Sequence, residues 1–476
     1  IDERTLREVY LPHFKKVIQV GKPASIMTAY NKVRGEYSGS NEELLSEILR
    51  KDWGFKGFIS TDWMYGVYDG IKAIKAGLNV EMPWQDEYNY DIIKKAINAS
   101  LIEEKEIDNL VLTSLKTRLK YAFSYDSIDY NHKLILDKSH IELARTVAEE
   151  SMVLLKNENT LPFSKGENLR IGVIGKLADT ENTGDLGSSN STPPYVITPY
   201  QGIKNYHKNS SNEVILDEAK DIIKSVELAK NLDQVILVVG YTYEDEGEYV
   251  MSRDQMLKSA EAKKLVGIKG IGGDRINLRL KEEDENLINA ISKVNKNLVI
   301  VYVGGSAIDM RKWRKNVPAI LFSWYSGMEG GNALAKILYG DINPSGKLPF
   351  TIAEDPNDYP YFNPYTDSIY YGYYHGYSLF EKYNKEIAYP FGHGLSYSNF
   401  KYENFNLIKY NRKDSILLFS VELTNYSDVG GKEVSQLYIG FENSEIDRPL
   451  KLLRDFKKVY LNAGEKKIMN FKINKN

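Results

Sequence analysis

Four nearly unbroken apolar runs constrain this chain most: RIGVIG (170–175), VILVVG (235–240), LVIVYVGG (298–305) and AILFSWY (319–325). Each has the length of a strand, is rich in Val, Ile or Leu, and lacks the polar alternation of a half-exposed strand. Runs of this kind suit strands buried on both faces, in a parallel sheet covered by helices. None is followed by G-x-G-x-x-G or G-x-x-x-x-G-K-[ST], so a Rossmann or P-loop nucleotide site is poorly supported.

The 476 residues suffice for about three domains. Ahead of the apolar runs, helix and strand patterns alternate. IDERTLREVYLPHFKKVIQVG has Leu6, Val9, Tyr10, Phe14, Val17 and Ile18 at helical spacing, with Asp2 as a cap. ASIMTAYNKV (24–33), GFIS (57–60) and LNVEMP read as short strands. SNEELLSEILRKDWGF reads as a helix opened by a capping box, Ser40 with Glu43. DGIKAIKAG (69–77), 89–99 and 104–123 read as further helices. This rhythm implies a parallel sheet with covered faces, but about three strands are too few to close an eight-stranded barrel. Beyond residue 400 the period falls to two: Leu417, Phe419, Val421 and Leu423 share one face, as in a small β-sandwich.

Several function classes are excluded early. A net charge of −3 with scattered basic residues gives no electrostatic case for nucleic acid. No apolar run is long enough to span a bilayer. The chain has no Cys, which excludes disulfides, thiolate metal sites and a Cys nucleophile while leaving the compartment open. Six His form no HxxxH or HExxH pattern, which argues against zinc. The 35 Tyr suit sugar-binding walls and ordinary cores equally. No signal peptide is visible, and the first residues read as a helix rather than a start.

The chemistry-bearing candidates are carboxylates at strand ends. Asp62, in GFISTDWMYG (57–66), follows a short strand in a βα repeat, the position where barrel active sites sit. Read locally, it is first of all a favoured helix N-cap. Past VILVVG come Glu244, Asp245, Glu246 and Glu248, off the strand end where open α/β sheets bind ligands. The alternative there is a solvated acidic turn. Two carboxylates on facing domains fit glycoside hydrolysis, one attacking the anomeric carbon and the other protonating the leaving oxygen.

Over nearly all its length the sequence resembles glycoside hydrolase family 3, the β-glucosidase and β-xylosidase family. The likeness is carried by ASIMTAYNKVRG, SNEELLSEILRKDWGFKGFISTDW, GLNVEMP, TVAEESMVLLKNENTLPF, TGDLGSSNSTPPYVITPYQGI, VVGYTYEDEGEY with a later GGDRINLRL, WYSGMEGGNALAKILYGDINPSGKLPFT and YPFGHGLSYSNF. The resemblance implies a multidomain α/β fold: the C-terminal half of a TIM-like (β/α) barrel (1–125), a linker (126–145), an α/β sandwich (146–355), a connector (356–398) and an incomplete fibronectin-III-like β-sandwich (399–476). The activity it implies is an exo-acting, retaining β-glycosidase, a chemistry for which neither a metal nor an organic cofactor is expected. β-Glucosides are expected first and β-xylosides second. The Asp of the family's S-D-W motif matches Asp62, the implied nucleophile. The implied acid/base is Glu246, with Glu244 in reserve, at about 5–5.5 Å from the nucleophile. Met27, Tyr30 and Trp63 are implied at the sugar site, with core packing the alternative for each of them. Glu329 and Glu81 read as structural, Glu329 at a helix start where an acid favours the dipole. Because the family carries about half a barrel before the segment matching residue 1, a second chain or further segment is expected to complete it. The alternative function is a non-catalytic carbohydrate-binding or scaffold subunit.

Overall fold

The computed structural model describes residues 1–123, 134–184, 188–248, 275–363, 366–411 and 416–474. The chain divides into two compact units, Ile1–Tyr130 with Tyr365–Tyr373, and Asn131–Pro364 with Tyr374–Asn476.

The first unit opens with helical turns from Glu3 to Gly21, and Asp2 caps them by accepting the Thr5 N–H at 2.9 Å. Strand β1 (Ser25–Met27) follows, then a hairpin of β2 (Lys32–Val33) and β3 (Glu36–Tyr37). Its two turn residues, Arg34 and Gly35, both have positive φ, 57° and 90°, as a type I′ turn requires. The following helix, Glu43–Asp52, is not opened by Ser40: Ser38–Ser40 form a separate tight turn, and Asn41 accepts the Leu44 N–H at 3.0 Å. Strand β4 (Phe58–Ser60) pairs parallel with β1, Ile26 opposite Ile59, and Val80 bridges Ser60 on the other side. Thus LNVEMP contributes a bridge rather than a full strand. Ile59, fully buried, packs with Leu45, Leu49, Phe55, Ala73 and Leu78. Helices Gly70–Ala76, Tyr90–Asn98 and Glu104–Ala122 fall where the periodicity predicts. Part of the expected connector belongs to this unit: the Tyr373 hydroxyl donates to Glu8 at 2.6 Å, beneath the Arg4 guanidinium.

In the second unit, a helix (Lys138–Ser151) runs from inside the expected linker, over residues 138–145, into the expected sandwich. A six-stranded sheet follows: β5 (Val153–Asn157), β6 (Arg170–Ile174), β7 (Glu213–Asp217), β8 (Gln234–Gly240), β9 (Leu298–Val303) and β10 (Ala319–Phe322), in the order β5-β10-β9-β8-β6-β7. All pairs are parallel except β5 with β10. Successive residues face opposite sides. Leu237, Val239, Ile300 and Phe322 pack on the helix Glu282–Val294 through Leu287, Ile288 and Ile291. Ile236, Val238, Val301 and Leu321 pack on Ala333, Leu334 and Ile337 of the helix Gly330–Leu338. Each fully buried Val, Leu or Ile contributes about 1.5–3 kcal/mol, so both sheet faces must be covered. The helices Pro199–His207 and Gly330–Leu338 meet at Gly331, where a Cβ would stand 2.0 Å from the Thr198 carbonyl oxygen. At the end of the expected sandwich, β11 (Ile352–Ala353) pairs with β12 (Ile387–Tyr389) of the expected connector, where Gly376–Lys382 is also helical.

Strands β13 (Phe400–Asn411), β14 (Ile416–Asn425) and β17 (Lys466–Asn474) form one sheet, and β15 (Gly431–Ile439) with β16 (Leu452–Leu461) another. Val421, Leu423, Leu437, Leu461 and Phe471 fill the space between them. The period-two face of β14 is therefore the buried one.

One buried acid makes the second unit's stability depend on pH. Asp284, in the first turn of Glu282–Val294, accepts the Gly240 N–H at 3.4 Å. Burial, with the neighbouring Glu283, pushes its carboxyl up to about 6, against the pull of that N–H, Lys281 and Lys176. An unfolded Asp ionises near 3.9. Between those values the folded chain holds a proton that the unfolded chain has lost, so stability falls as pH rises through that window. Asp284→Asn keeps an acceptor for Gly240 and removes the charge. We expect it to stabilise this unit by about 1–3 kcal/mol above pH 7. Melting temperatures should show that gain vanishing at pH 4.

Candidate active site

Asp62 follows β4, one residue beyond Thr61, at the carboxyl end of a parallel pair. The loop around it is cross-linked from three sides. The Asp62 N–H donates to the Thr28 carbonyl at 3.2 Å, and the Thr61 N–H to that of Val80 at 3.0 Å. The Thr61 hydroxyl accepts the Met82 N–H at 2.8 Å, and the Met64 N–H donates to the Met82 carbonyl at 3.0 Å. Thr61 is fully buried, whereas Asp62 is half-buried and its carboxylate accepts the Trp63 N–H at 2.7 Å. No helix starts there. The N-cap of the next helix is Asp69, which accepts the Lys72 N–H at 2.9 Å.

Met27, Tyr30 and Trp63 are exposed on this unit, 55%, 40% and 45% respectively, so none of them packs in its core. Tyr30 meets Tyr65 edge-on at 5.9 Å, and Tyr37 stacks on Tyr68 at 4.2 Å. Glu81 accepts the Tyr88 N–H at 2.7 Å and the Glu87 N–H at 3.1 Å, which holds the loop after Val80. Burial raises its carboxyl above the ordinary range.

In the second unit, β8 ends at Gly240, with φ 137° and a Cβ position 1.9 Å from the Val303 carbonyl oxygen, so only glycine fits. A single helical turn, Tyr243–Glu246, follows, closed by a capping box between Thr242 and Asp245. The four acids then have different surroundings. Glu244 is exposed. Asp245 pairs with Lys281 at 2.9 Å. Glu248 bonds to Ser188. Glu246 is only 14% exposed and is gripped by three donors: Arg275 Nε at 3.0 Å, the Tyr325 hydroxyl at 2.5 Å and the Gly305 N–H at 2.8 Å. These come from beyond the carboxyl ends of β8, β9 and β10. The Arg275 guanidinium stacks 4.3 Å over the Tyr241 ring and also bonds Ser306. Burial, and then the Glu246 carboxylate, push the Tyr325 phenol well above its usual range, so it remains a donor. Asn182 donates to the Tyr241 carbonyl at 2.8 Å, tying the loop after β6 to the end of β8.

Sequence reasoning assigned no role to Arg275 or Tyr325. Both lie in motifs that carry the family resemblance, GGDR and WYSG, and that was the available signal. Glu329 stands at the N-cap position of Gly330–Leu338 without a side-chain capping bond, its carboxylate buried between the Tyr195 hydroxyl at 2.9 Å and Asn332 at 2.9 Å. The stretch leading from DEGEY to Arg275 reads in the sequence as a long loop, and its residues 249–274 lie outside the described residues. Among the described residues no group of His, Cys, Asp or Glu is arranged to hold a metal ion, and no helix is long and apolar enough to cross a membrane.

Residues 1–114 match the glycosyl hydrolase family 3 N-terminal domain, 152–397 its C-terminal domain, and 433–476 a fibronectin type III-like domain. The chain is 33% identical over 499 residues to thermostable beta-glucosidase B of Acetivibrio thermocellus, spanning all of this chain and 61% of that one. It is 32% identical over 489 residues to an exo-alpha-(1->6)-L-arabinopyranosidase of Bifidobacterium longum, spanning 98% and 60%. The crystal structure of a beta-D-glucoside glucohydrolase from Trichoderma reesei superposes with a TM-score of 0.87 at 26% identity, over all of this chain and 70% of that one. The chain thus spans about three fifths of the length of these curated relatives, and its barrel part is partial. With its C-terminal domain model matched over more than half its residues, the chain belongs to glycosyl hydrolase family 3.

Proposed function

We propose that this chain carries the catalytic carboxylates of an exo-acting, retaining β-glycosidase, with β-glucosides the first substrates to try and β-xylosides the second. The observation that carries the reading is the placement of Asp62: an accessible carboxylate just past a parallel strand, on a loop locked by Thr61, in the motif that matches the family's nucleophile. Asp62 attacks the anomeric carbon, and a covalent glycosyl-enzyme forms as the glycosidic bond breaks. Glu246 gives its proton to the departing oxygen, then takes one from the water that releases the sugar. Met27, Tyr30 and Trp63 wall the sugar beside Asp62. Both displacements invert the anomeric carbon, so the first sugar released is the β-anomer. Proton NMR during turnover of an aryl β-glucoside tests this, and release of the α-anomer first would refute it.

The reading includes further (β/α) units that complete the barrel, either continuous with residue 1 or on a second chain. Strand β1 supports this: Ser25 and Met27 are exposed, whereas barrel strands are covered on both faces. Val20 and Leu119 of the same unit are 74% and 52% exposed. The greater length of the relatives supports it too. Intact mass and subunit composition of the active material test it. If residues 1–476 alone are monomeric and hydrolyse glycosides, the completion is not needed. If the completed assembly turns over no aryl glycoside, the chain is a non-catalytic sugar-binding subunit instead.

A further inference from the structure

The second unit holds a cavity of about 490 Å³ far along the chain from Glu246, walled by β15, the helix Gly376–Lys382 and the segment after β12. Its size lies in the range of small-molecule sites. Aromatic rings form one corner: Tyr377 lies 4.9 Å from Phe391, tilted by 33°, and meets Tyr438 at 6.0 Å, nearly perpendicular. Polar groups converge on the same space in fixed arrangements. Glu381 pairs with Lys451 at 2.8 Å. Glu433 accepts the Tyr402 hydroxyl at 3.0 Å and pairs with Lys347 at 3.1 Å. Gln436 accepts the Tyr438 hydroxyl at 2.7 Å and donates to the Gly392 carbonyl at 3.1 Å. Gly392 itself has φ 78°, and a Cβ there would stand 2.2 Å from the Gln436 amide oxygen, so that amide is held by a backbone only glycine permits.

Two wall residues carry buried polar atoms with no protein partner, Thr351 Oγ1 and Glu381 Oε2. Such atoms are rare and call for a partner. The charges at the wall are balanced, two carboxylates each paired with an ammonium, so an ionic ligand gains nothing from them and must break a pair to bind. Ring faces beside fixed carboxylate and amide groups are the complement of a neutral polyhydroxylated ring, apolar on its C–H face and rimmed by donors. We propose that this cavity is a second, non-catalytic binding site for a neutral mono- or disaccharide. It does not depend on the roles assigned to Asp62 and Glu246.

The absence of native Cys gives a site-specific test. Ile387 lines the cavity and is exposed, so Ile387→Cys takes a trifluoromethyl tag at one place only. Titration with glucose, xylose and cellobiose should shift its fluorine resonance saturably. Thr351→Val and Glu381→Gln should each weaken that binding by roughly tenfold, the worth of one lost hydrogen bond to a buried partner. Both should melt close to the parent temperature, since Thr351→Val removes only an unpaired hydroxyl and Glu381→Gln keeps an acceptor for Lys451. Asp62→Ala should leave the titration unchanged. Three results would each overturn the proposal: no saturable shift with any of the sugars, a shift that survives both wall substitutions, or a shift that Asp62→Ala abolishes.

Discussion

Asp62→Ala should lower kcat on aryl β-glucosides by roughly 10⁴-fold or more, the scale seen when a covalent nucleophile is removed. Among the described residues, neither Thr61 nor Glu81 is free to take its place. The Thr61 hydroxyl is buried and committed to Met82, and Glu81 is committed to the amides of Glu87 and Tyr88. The fold should survive, because Asp62 caps no helix, its backbone N–H bond to Thr28 is kept in the variant, and among the described residues its carboxylate accepts a hydrogen bond only from the adjacent Trp63 N–H. Azide should restore part of the rate. It enters the space the carboxylate leaves and attacks the same face of the sugar, so the product is the α-glycosyl azide. If activity is undiminished, or if azide yields the β-glycosyl azide, Asp62 is not the nucleophile.

Glu246→Ala should produce the second largest loss, with a different signature. A leaving group as good as dinitrophenolate departs without a proton, so its first step should change little. For alkyl glucosides, which need the proton, the loss should be about 10²–10⁴-fold. Azide should now accelerate release from the glycosyl-enzyme and give the β-glycosyl azide. Glu244→Ala serves as the comparison, since that residue is exposed at the start of the same helical turn, and it should behave like the parent. A loss at Glu244 equal to that at Glu246 would move the acid/base role. Arg275 and Tyr325 fix where the Glu246 carboxylate points. Arg275→Ala should therefore lower kcat for alkyl glucosides by about tenfold, with dinitrophenyl glucosides spared, as expected for a residue acting through Glu246.

The parts of this fold that were legible in sequence are those with strong local periodicity. The apolar runs at 170–175, 235–240, 298–305 and 319–325 became β6, β8, β9 and β10 because burial on both faces leaves no polar position to obscure them. β5 and β7 were missed for the opposite reasons. VLLKN follows immediately on a helix, with Met152 between them, and EVILD is a half-buried edge strand. The helix at Glu43 was placed correctly but given the wrong cap. Ser40 fits a capping box in sequence, yet the chain uses Ser38–Ser40 for a separate turn and leaves Asn41 to satisfy the first amide. Residues 138–145 looked like linker because their charged face dominates, although Asp137 caps a regular helix there.

The candidate site divides similarly. Asp62 and Glu246 could be named because strand ends and motif matches point to them. Local sequence left Asp62 open between capping and chemistry, and the structure gives the capping duty to Asp69. The grip on Glu246 could not be read, because Arg275, Gly305 and Tyr325 are distant in sequence and meet only when β8, β9 and β10 line up in parallel. Exposure was equally invisible: Met27 and Trp63 look like core residues in sequence and stand on the surface of their unit.

The proposed mechanism passes through a covalent bond between the sugar and one residue, Asp62. Incubating the completed, active assembly with a fluorinated aryl β-glucoside, whose glycosyl-enzyme forms faster than it hydrolyses, should stop turnover. Peptide mass spectrometry should then find one fluoroglycosyl group on the peptide containing Asp62, and fragmentation should place it on that carboxylate. A modified carboxylate elsewhere, or inactivation with no adduct on the chain, would contradict the account.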